Sequence, residues 1–117
     1  TERSAPTTNF LSGVAIGPGG CVAVGDNGTL LQAGPDGVSW TAVAMNTTNW
    51  LYRVRWLDNK FVAVGENGSI YTSPNGSAWT TQASGTTLWL TDVTFVDGQW
   101  FVSGYQGTLL AGSNLAD

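Results

Sequence analysis

Residues 60–79 read KFVAVGENGSIYTSPNGSAW. This pattern predicts three short strands joined by two tight turns. The apolar run after Lys60 ends at Gly65. Glu66-Asn67-Gly68 is typical of a hairpin turn, because Asn and Gly tolerate the positive φ angles of primed turns. The next five residues alternate between two faces of a strand, and Pro74-Asn75-Gly76 turns the chain towards a third strand at Trp79.

The same pattern occurs three times in the chain. Residues 21–40 read CVAVGDNGTLLQAGPDGVSW, and residues 100–114 read WFVSGYQGTLLAGSN. The preceding connections, TTNFL from Thr7, TTNWL from Thr47 and TTLWL from Thr86, recur at spacings of 40 and 39 residues. A period of this length indicates a repeat architecture.

Each repeat contains four strand candidates. In the middle copy, strand A covers about residues 50–57, strand B 60–65, strand C 69–73 and strand D 78–83. No segment has helical apolar spacing, so we expect no helix. The pattern predicts an all-β fold of β-propeller blades: three four-stranded antiparallel repeats of about 40 residues. We assign residues 1–117 to a single propeller module with repeats at 7–46, 47–85 and 86–117.

The third repeat ends before a strand D. Residues 1–6 precede the first Thr-Thr pair as a strand D would, so we expect them to complete the last blade of a neighbouring chain. Three blades are too few to close a ring, because propellers typically have 4–8. The sequence therefore predicts self-assembly into a homodimeric six-bladed ring. Larger rings and a truncated longer propeller remain open alternatives.

Two turns carry a family resemblance. Residues 73–79, SPNGSAW, and residues 34–40, GPDGVSW, resemble the Asp-box of sialidase-type repeats, and the surrounding text resembles photosystem II assembly-factor-like propellers. The resemblance implies that Asp36 and Asn75 cap their turns and that Trp40 and Trp79 pack beneath them. It also favours an extracytoplasmic location, periplasmic or secreted.

Composition excludes several function classes. The net charge is −4 with four basic residues, so the chain lacks the basic patch that nucleic acid or an anionic membrane would require. No apolar run reaches the roughly 20 residues of a membrane span. The single Cys21 aligns with Phe61 and Trp100 and is expected in the core.

Catalysis is also disfavoured by the residue types present. The chain has no His, which removes the commonest general base and metal ligand. A sialidase would need three arginines around its substrate carboxylate, whereas this chain has only Arg3, Arg53 and Arg55, two of them on one strand. We therefore expect a non-enzymatic scaffold or binding module with no catalytic residue, cofactor or metal.

The alternative function is lectin-like glycan binding on one rim. The D-to-A connections and the B-to-C turns of a propeller share this rim, and aromatic rings with nearby amides and carboxylates suit sugar hydroxyls. A protein is an alternative ligand there, and packing between blades also explains the aromatic residues. The candidate residues are Trp50, Trp89, Asn49, Asp26, Asn27, Glu66, Asn67, Tyr105 and Gln106.

A second candidate region is the central channel. Arg53 and Arg55 occupy alternate positions of strand A, so both point to one sheet face. We expect Arg53 to pair with Asp92 of the next blade in a wet channel, with anion binding as the alternative.

Overall fold

The computed structural model describes residue 7 and residues 9–113. These residues form eleven strands in three antiparallel sheets that follow one another along the chain. The first sheet contains β1 (Leu11–Gly17), β2 (Gly20–Gly25), β3 (Leu30–Ala33) and β4 (Trp40–Ala42). The second contains β5 (Leu51–Leu57), β6 (Lys60–Gly65), β7 (Ser69–Ser73) and β8 (Thr80–Gln82). The third contains β9 (Leu90–Val96), β10 (Gln99–Gly104) and β11 (Leu109–Gly112).

The all-β prediction is confirmed, and the helical content of the described residues is limited to two single 3-10 turns. These are Glu66–Gly68 and Tyr105–Gly107, both between the second and third strands of a sheet. The strand expected from residues 1–6 lies outside the described residues, so the predicted completion of the third sheet stays a prediction.

Tight A-to-B hairpins follow from residues that accept positive φ. Asp58 and Asn59 have φ of 50° and 62°, and Asp97 and Gly98 have φ of 51° and 76°. Positive φ at both central residues matches the right-handed twist of the flanking strands. The first two strands of the second and third sheets are therefore joined by two-residue primed turns.

A bulge recurs in the first strand of every sheet. The pairing register skips Ser12 in β1, Tyr52 in β5 and Thr91 in β9. A bulge leaves one residue out of the ladder and redirects its side chain. The side chains of Ser12, Tyr52 and Thr91 therefore leave the alternation of their strands at the same position of each sheet.

The core lies between the sheets. The face of the second sheet that carries Leu51, Val54 and Trp56, here called the leading face, packs on the first sheet. The opposite face, here called the trailing face, carries Val62, Val64 and Ile70 and packs on the third sheet. Cys21 is buried, as predicted.

The outermost strand of the second sheet is shorter than predicted. We expected residues 78–83, whereas β8 covers Thr80–Gln82. The reason is the preceding turn, in which the Asn75 side-chain oxygen accepts hydrogen bonds from the backbone N–H groups of Ser77 and Ala78. Those donors are occupied in the turn, so Ala78 does not join the ladder.

Candidate functional site

The B-to-C turns form one side of the predicted rim. Asn67 and Gly68 have φ of 58° and 68°, and the turn closes where the Ser69 N–H donates to the Glu66 carbonyl. The equivalent pairs at residues 27–28 and 106–107 also have positive φ. These values match a type I′ turn, as the Asn-Gly sequence predicts.

The D-to-A connection of the following sheet lies directly over each of the first two turns. A Cβ at Gly68 would collide with the carbonyl oxygen of Thr86, and a Cβ at Gly28 would collide with that of Thr47. The Gly28 N–H also donates to the Asn49 carbonyl at 2.8 Å. The rim is therefore a junction between consecutive sheets.

The acidic residues of the rim bind backbone. Asp26 Oδ1 accepts from the Phe10 N–H at 3.1 Å, and Glu66 Oε1 accepts from the Trp50 N–H at 2.9 Å. These carboxylates fix the start of the first strand within their own sheets. Tyr105 takes the equivalent position in the third sheet, where its ring packs against Trp89 with centroids 5.0 Å apart.

The amides of the rim bind one another and their neighbours. Asn67 Nδ2 donates to Asn49 Oδ1 at 2.8 Å, and Asn49 Nδ2 donates to Ser69 Oγ at 3.1 Å. Asn27 and Gln106 are exposed, and neither side chain has a hydrogen-bond partner among the described residues. The structure thus brings Asn49, Glu66 and Asn67 together at one junction, whereas Asn27 and Gln106 belong to other turns.

Five aromatic side chains form a continuous row along this rim, here called the aromatic row. Trp50 lies at its centre, with ring centroids 5.6 Å from Phe10, 5.7 Å from Tyr52 and 5.1 Å from Trp89. Tyr105 extends the row beyond Trp89. Phe10 and Tyr105, at the two ends, are 59% and 51% exposed, and the three central rings are half-buried.

Sequence reasoning did not place Tyr52 at this site. Strict alternation along strand A assigns Tyr52 to one sheet face, but the bulge removes it from the ladder and directs it between Trp50 and Trp89. A signal was available, since the aligned residues Ser12 and Thr91 are small and hydroxylated, whereas Tyr52 is large.

The two tryptophans of the row differ in their polar contacts. Trp50 Nε1 donates to Ser12 Oγ at 2.9 Å, and Ser12 Oγ in turn donates to the Tyr52 carbonyl at 2.8 Å. Trp89 Nε1 is buried and has no partner in the described part of the chain. The cause is Tyr52, which replaces the hydroxyl that Ser12 offers in the previous sheet.

The predicted Arg53–Asp92 ion pair is present, but a second arginine lies closer to the same carboxylate. Arg55, rather than Arg53, is the main partner of Asp92, with Nε 2.8 Å from Oδ1 and Nη2 3.2 Å from Oδ2. Arg53 Nε lies 3.7 Å from Asp92 Oδ1 and donates to the Thr91 carbonyl at 3.3 Å. Arg55 therefore makes a bidentate contact with the carboxylate, which is the stronger geometry for an arginine–carboxylate pair.

The ion pair shifts the pKa values of both partners. Burial opposes ionisation of Asp92, but hydrogen bonds from Arg55 and the Val93 N–H, with the nearby guanidinium charges, outweigh it and lower the pKa of Asp92. The hydrogen bond to Asp92 raises the pKa of Arg55. The carboxylate therefore stays ionised at neutral pH and joins β5 to β9.

The C-to-D turns use the side chains named in the sequence. Asp36 Oδ1 accepts from the Val38 N–H at 3.1 Å, and Trp40 Nε1 donates to the Gly37 carbonyl at 3.0 Å. In the second sheet, Asn75 caps its turn and Trp79 Nε1 donates to the Gly76 carbonyl at 2.9 Å. Both tryptophans are half-buried, so these residues serve local structure.

The part of the chain that the structure describes contains neither a candidate metal site nor a candidate membrane-spanning helix. No group of three or more His, Cys, Asp or Glu side chains could hold a metal ion there. Across residues 9–113, no helix is long and apolar enough to cross a membrane.

Comparison with known proteins supports the fold. No family model matches the chain, and no curated protein matches it. Among solved structures, the chain is similar to "YCF48 bound to D1 peptide", a β-propeller, with a TM-score of 0.79 and 16% sequence identity. The match covers 96% of this chain and 39% of that chain. At this identity the likeness shows the fold alone, so the consecutive antiparallel sheets are those of a β-propeller-like protein.

Proposed function

We propose that this chain is a non-enzymatic propeller module, with Asp-box-type turns, that acts as a binding or scaffold unit and closes a six-bladed ring with a second copy. Its absence of catalytic activity is part of the proposal and rests on the residue types, above all the lack of histidine. The ring closure rests on the apolar faces at the two ends of the described sheets.

The observation that carries the proposal is the exposed leading face of the first sheet. Val14 is 65% exposed, whereas the equivalent Val54 and Val93 are 2% and 1% exposed. Ile16 is 73% exposed, although its equivalents Trp56 and Phe95 pack into the junctions between sheets. Contiguous apolar surface of this kind marks an interaction site in soluble proteins.

The trailing face of the third sheet offers the matching surface. Leu109 is 68% exposed, whereas the equivalent Leu30 and Ile70 are 1% exposed within the two internal junctions. In those junctions a trailing face always packs against a leading face. A second copy of the first sheet is therefore the partner whose chemistry fits Leu109, and the reverse pairing closes the ring by two-fold symmetry. Residues 1–6 of each copy would add as the missing outer strand beside residues 107–113 of the other.

The decisive experiment is the mass of the particle in solution. Light scattering at micromolar concentration should give twice the chain mass of 12.3 kDa. Ile16→Asp places a charge in the proposed junction and should yield a folded monomer. Val38→Asp is the matched control, because Val38 is also an exposed apolar residue, 52% accessible, but lies in a C-to-D turn.

Three results would contradict ring closure by two copies. The wild-type chain would remain a folded monomer, or Ile16→Asp would leave the dimer intact, or the mass would correspond to three chains and so to nine blades. Deletion of residues 1–6 should weaken the dimer. An unchanged dimer after this deletion would remove the strand exchange from the proposal.

A protein or peptide is the partner class that we propose for the rim. The similar solved structure is of YCF48 with a peptide bound, and the aromatic row offers rings half-buried at its centre and exposed at its ends. Aromatic side chains supply much of the binding energy at protein interfaces. Trp50→Ala and Trp89→Ala should each reduce binding of a selected peptide from a random display library, whereas Val38→Asp should not.

Glycan binding on the same rim is the second candidate function. It is favoured by the exposed ends of the aromatic row and by the Asn27 and Gln106 amides of the rim turns, which are exposed and have no hydrogen-bond partner among the described residues. A glycan array should then give a signal that Trp50→Ala and Trp89→Ala both abolish. An array without signal for the wild-type chain would exclude this function.

A further inference from the structure

A cleft of about 300 Å³ opens between the first and second sheets, away from the rim residues. One wall is the chain that follows β4, from Val43 to Asn46. The other wall comes from Tyr71 in β7, the turn residue Ser77, Trp79 just before β8, and Thr81 within β8. The volume is at the lower end of the range for small-molecule sites. Both walls belong to one chain, so the cleft does not depend on ring closure.

The aromatic residues of the cleft are held in place by the core. Tyr71 and Trp79 are half-buried and pack against the cluster between the first and second sheets. Trp79 is also fixed by the hydrogen bond from Nε1 to the Gly76 carbonyl. A ligand that stacks on these rings would meet side chains already ordered, which lowers the entropic cost of binding.

Hydrogen-bonding groups around these rings are free. The Asn46 amide, the Tyr71 hydroxyl and the Thr81 hydroxyl have no hydrogen-bond partner among the described residues, whereas Ser77 Oγ donates to Gln32 Oε1. No charged side chain lines the cleft. The cleft thus combines fixed aromatic surface with neutral donors and acceptors.

We propose that this cleft binds a neutral sugar ring. The apolar face of a pyranose would pack on Trp79 and Tyr71, and its hydroxyls would bond Asn46 and Thr81. The lack of charge disfavours an anionic ligand, and the free polar groups disfavour a purely apolar one, because burial would leave them unsatisfied.

The cleft differs from the rim because its Asn46 and Thr81 side chains have no hydrogen-bond partner among the described residues. At the rim, the Asp26 and Glu66 carboxylates and the Asn49 amide already bind protein atoms. The next junction lacks the same chemistry, since Gly85 replaces Asn46 and Leu110 replaces Tyr71. We therefore infer one sugar site of this kind per chain within residues 9–113.

The test is titration of the full chain with a panel of neutral methyl pyranosides, followed by tryptophan fluorescence and by NMR chemical shifts. At least one sugar should bind and shift the resonances of Asn46 and Thr81. Thr81→Val and Asn46→Ala should each lower its affinity about tenfold, the effect of losing one hydrogen bond. The matched control is Thr80→Val, an exposed residue of the same strand outside the cleft, which should not change the affinity.

Each remaining outcome overturns the inference. These are the absence of binding across the panel, equal losses in Thr80→Val and Thr81→Val, and loss of binding in the ring-breaking Ile16→Asp variant. Sugar binding abolished by Trp89→Ala but unchanged by Thr81→Val would instead assign the sugar to the rim. If the wild-type chain is a monomer and still binds the sugar, ring closure is contradicted and the cleft assignment is supported.

Discussion

At Gly68, the backbone and the neighbouring sheet impose two separate requirements. Its φ of 68° is strained for any residue with a Cβ, and the Thr86 carbonyl occupies the space that a Cβ would need. Gly98 shares only the first requirement, with a φ of 76° and no atom within 4 Å of the position that a Cβ would take. The pair therefore separates backbone strain from steric conflict between sheets.

We predict that Gly68→Val destabilises the fold more than Gly98→Val. Strain alone should cost roughly 1–3 kcal/mol at either position. The conflict with Thr86 should add about 1 kcal/mol or more at Gly68. Urea denaturation of the two variants measures the difference, and equal losses would mean that the Thr86 connection does not constrain the turn.

Strands β5 and β9 are joined by an ion pair as well as by apolar packing. Arg55 holds Asp92 through two hydrogen bonds, and both side chains are a little over two-fifths exposed. Solvent at this exposure screens the pair, so its contribution to stability is below about 1 kcal/mol. Its value to the fold is geometric, because it fixes β5 against β9 of the next sheet.

This pair should make stability depend on pH on the acid side. The pKa of Asp92 is lower in the folded chain, so the stabilisation is fully present above the unfolded value of about 3.9 and is lost as the pH falls through the folded value. Asp92→Asn should remove this component. The measurement is the urea midpoint of unfolding between pH 2.5 and 6 for the wild type and for Asp92→Asn. Asp97→Asn is the control, because Asp97 lies in an exposed turn. Equal pH slopes for wild type and Asp92→Asn would refute the assignment.

At the scale of the whole molecule, the two ends of the described sheets differ from the interior in one consistent way. Positions 14 and 16 at one end and position 109 at the other are exposed, although their equivalents are buried or packed between sheets. The turn glycines follow the same rule, since Gly28 and Gly68 each touch a following Thr carbonyl, whereas Gly107 has nothing within 4 Å of its Cβ position.

If two copies close the ring as proposed, Gly107 should meet the Thr7 carbonyl of the second copy, as Gly28 meets that of Thr47. Gly107→Val should then raise the dimer dissociation constant at least tenfold, in addition to its effect on the fold. Gly98→Val is the control for backbone strain and should leave the dissociation constant unchanged. Sedimentation equilibrium measures both values. An unaltered dimer in Gly107→Val would mean that the copies do not meet as consecutive sheets do.

The sequence by itself determined the local architecture. Asn-Gly and Asp-Asn pairs at fixed offsets select primed turns, and apolar residues at alternate positions select strands, because both depend on interactions within a few residues. The approximate strand positions of residues 50–73 could therefore be read from the residues. The burial of Cys21 followed from the repeat alignment, and the turn roles of Asp36 and Asn75 from the family resemblance. The repeat of these signals also indicated a propeller-like fold.

Tertiary structure decided the contacts between sheets, which lie about 40 residues apart in the chain. The bulge at Tyr52 completed the aromatic row, and the relative position of β5 and β9 made Arg55 a closer partner of Asp92 than Arg53. The same docking of consecutive sheets opened the cleft beside Trp79, where Asn46 and Thr81 have no hydrogen-bond partner among the described residues. None of this follows from alternation along one strand, because a side chain's partners depend on how the next sheet docks.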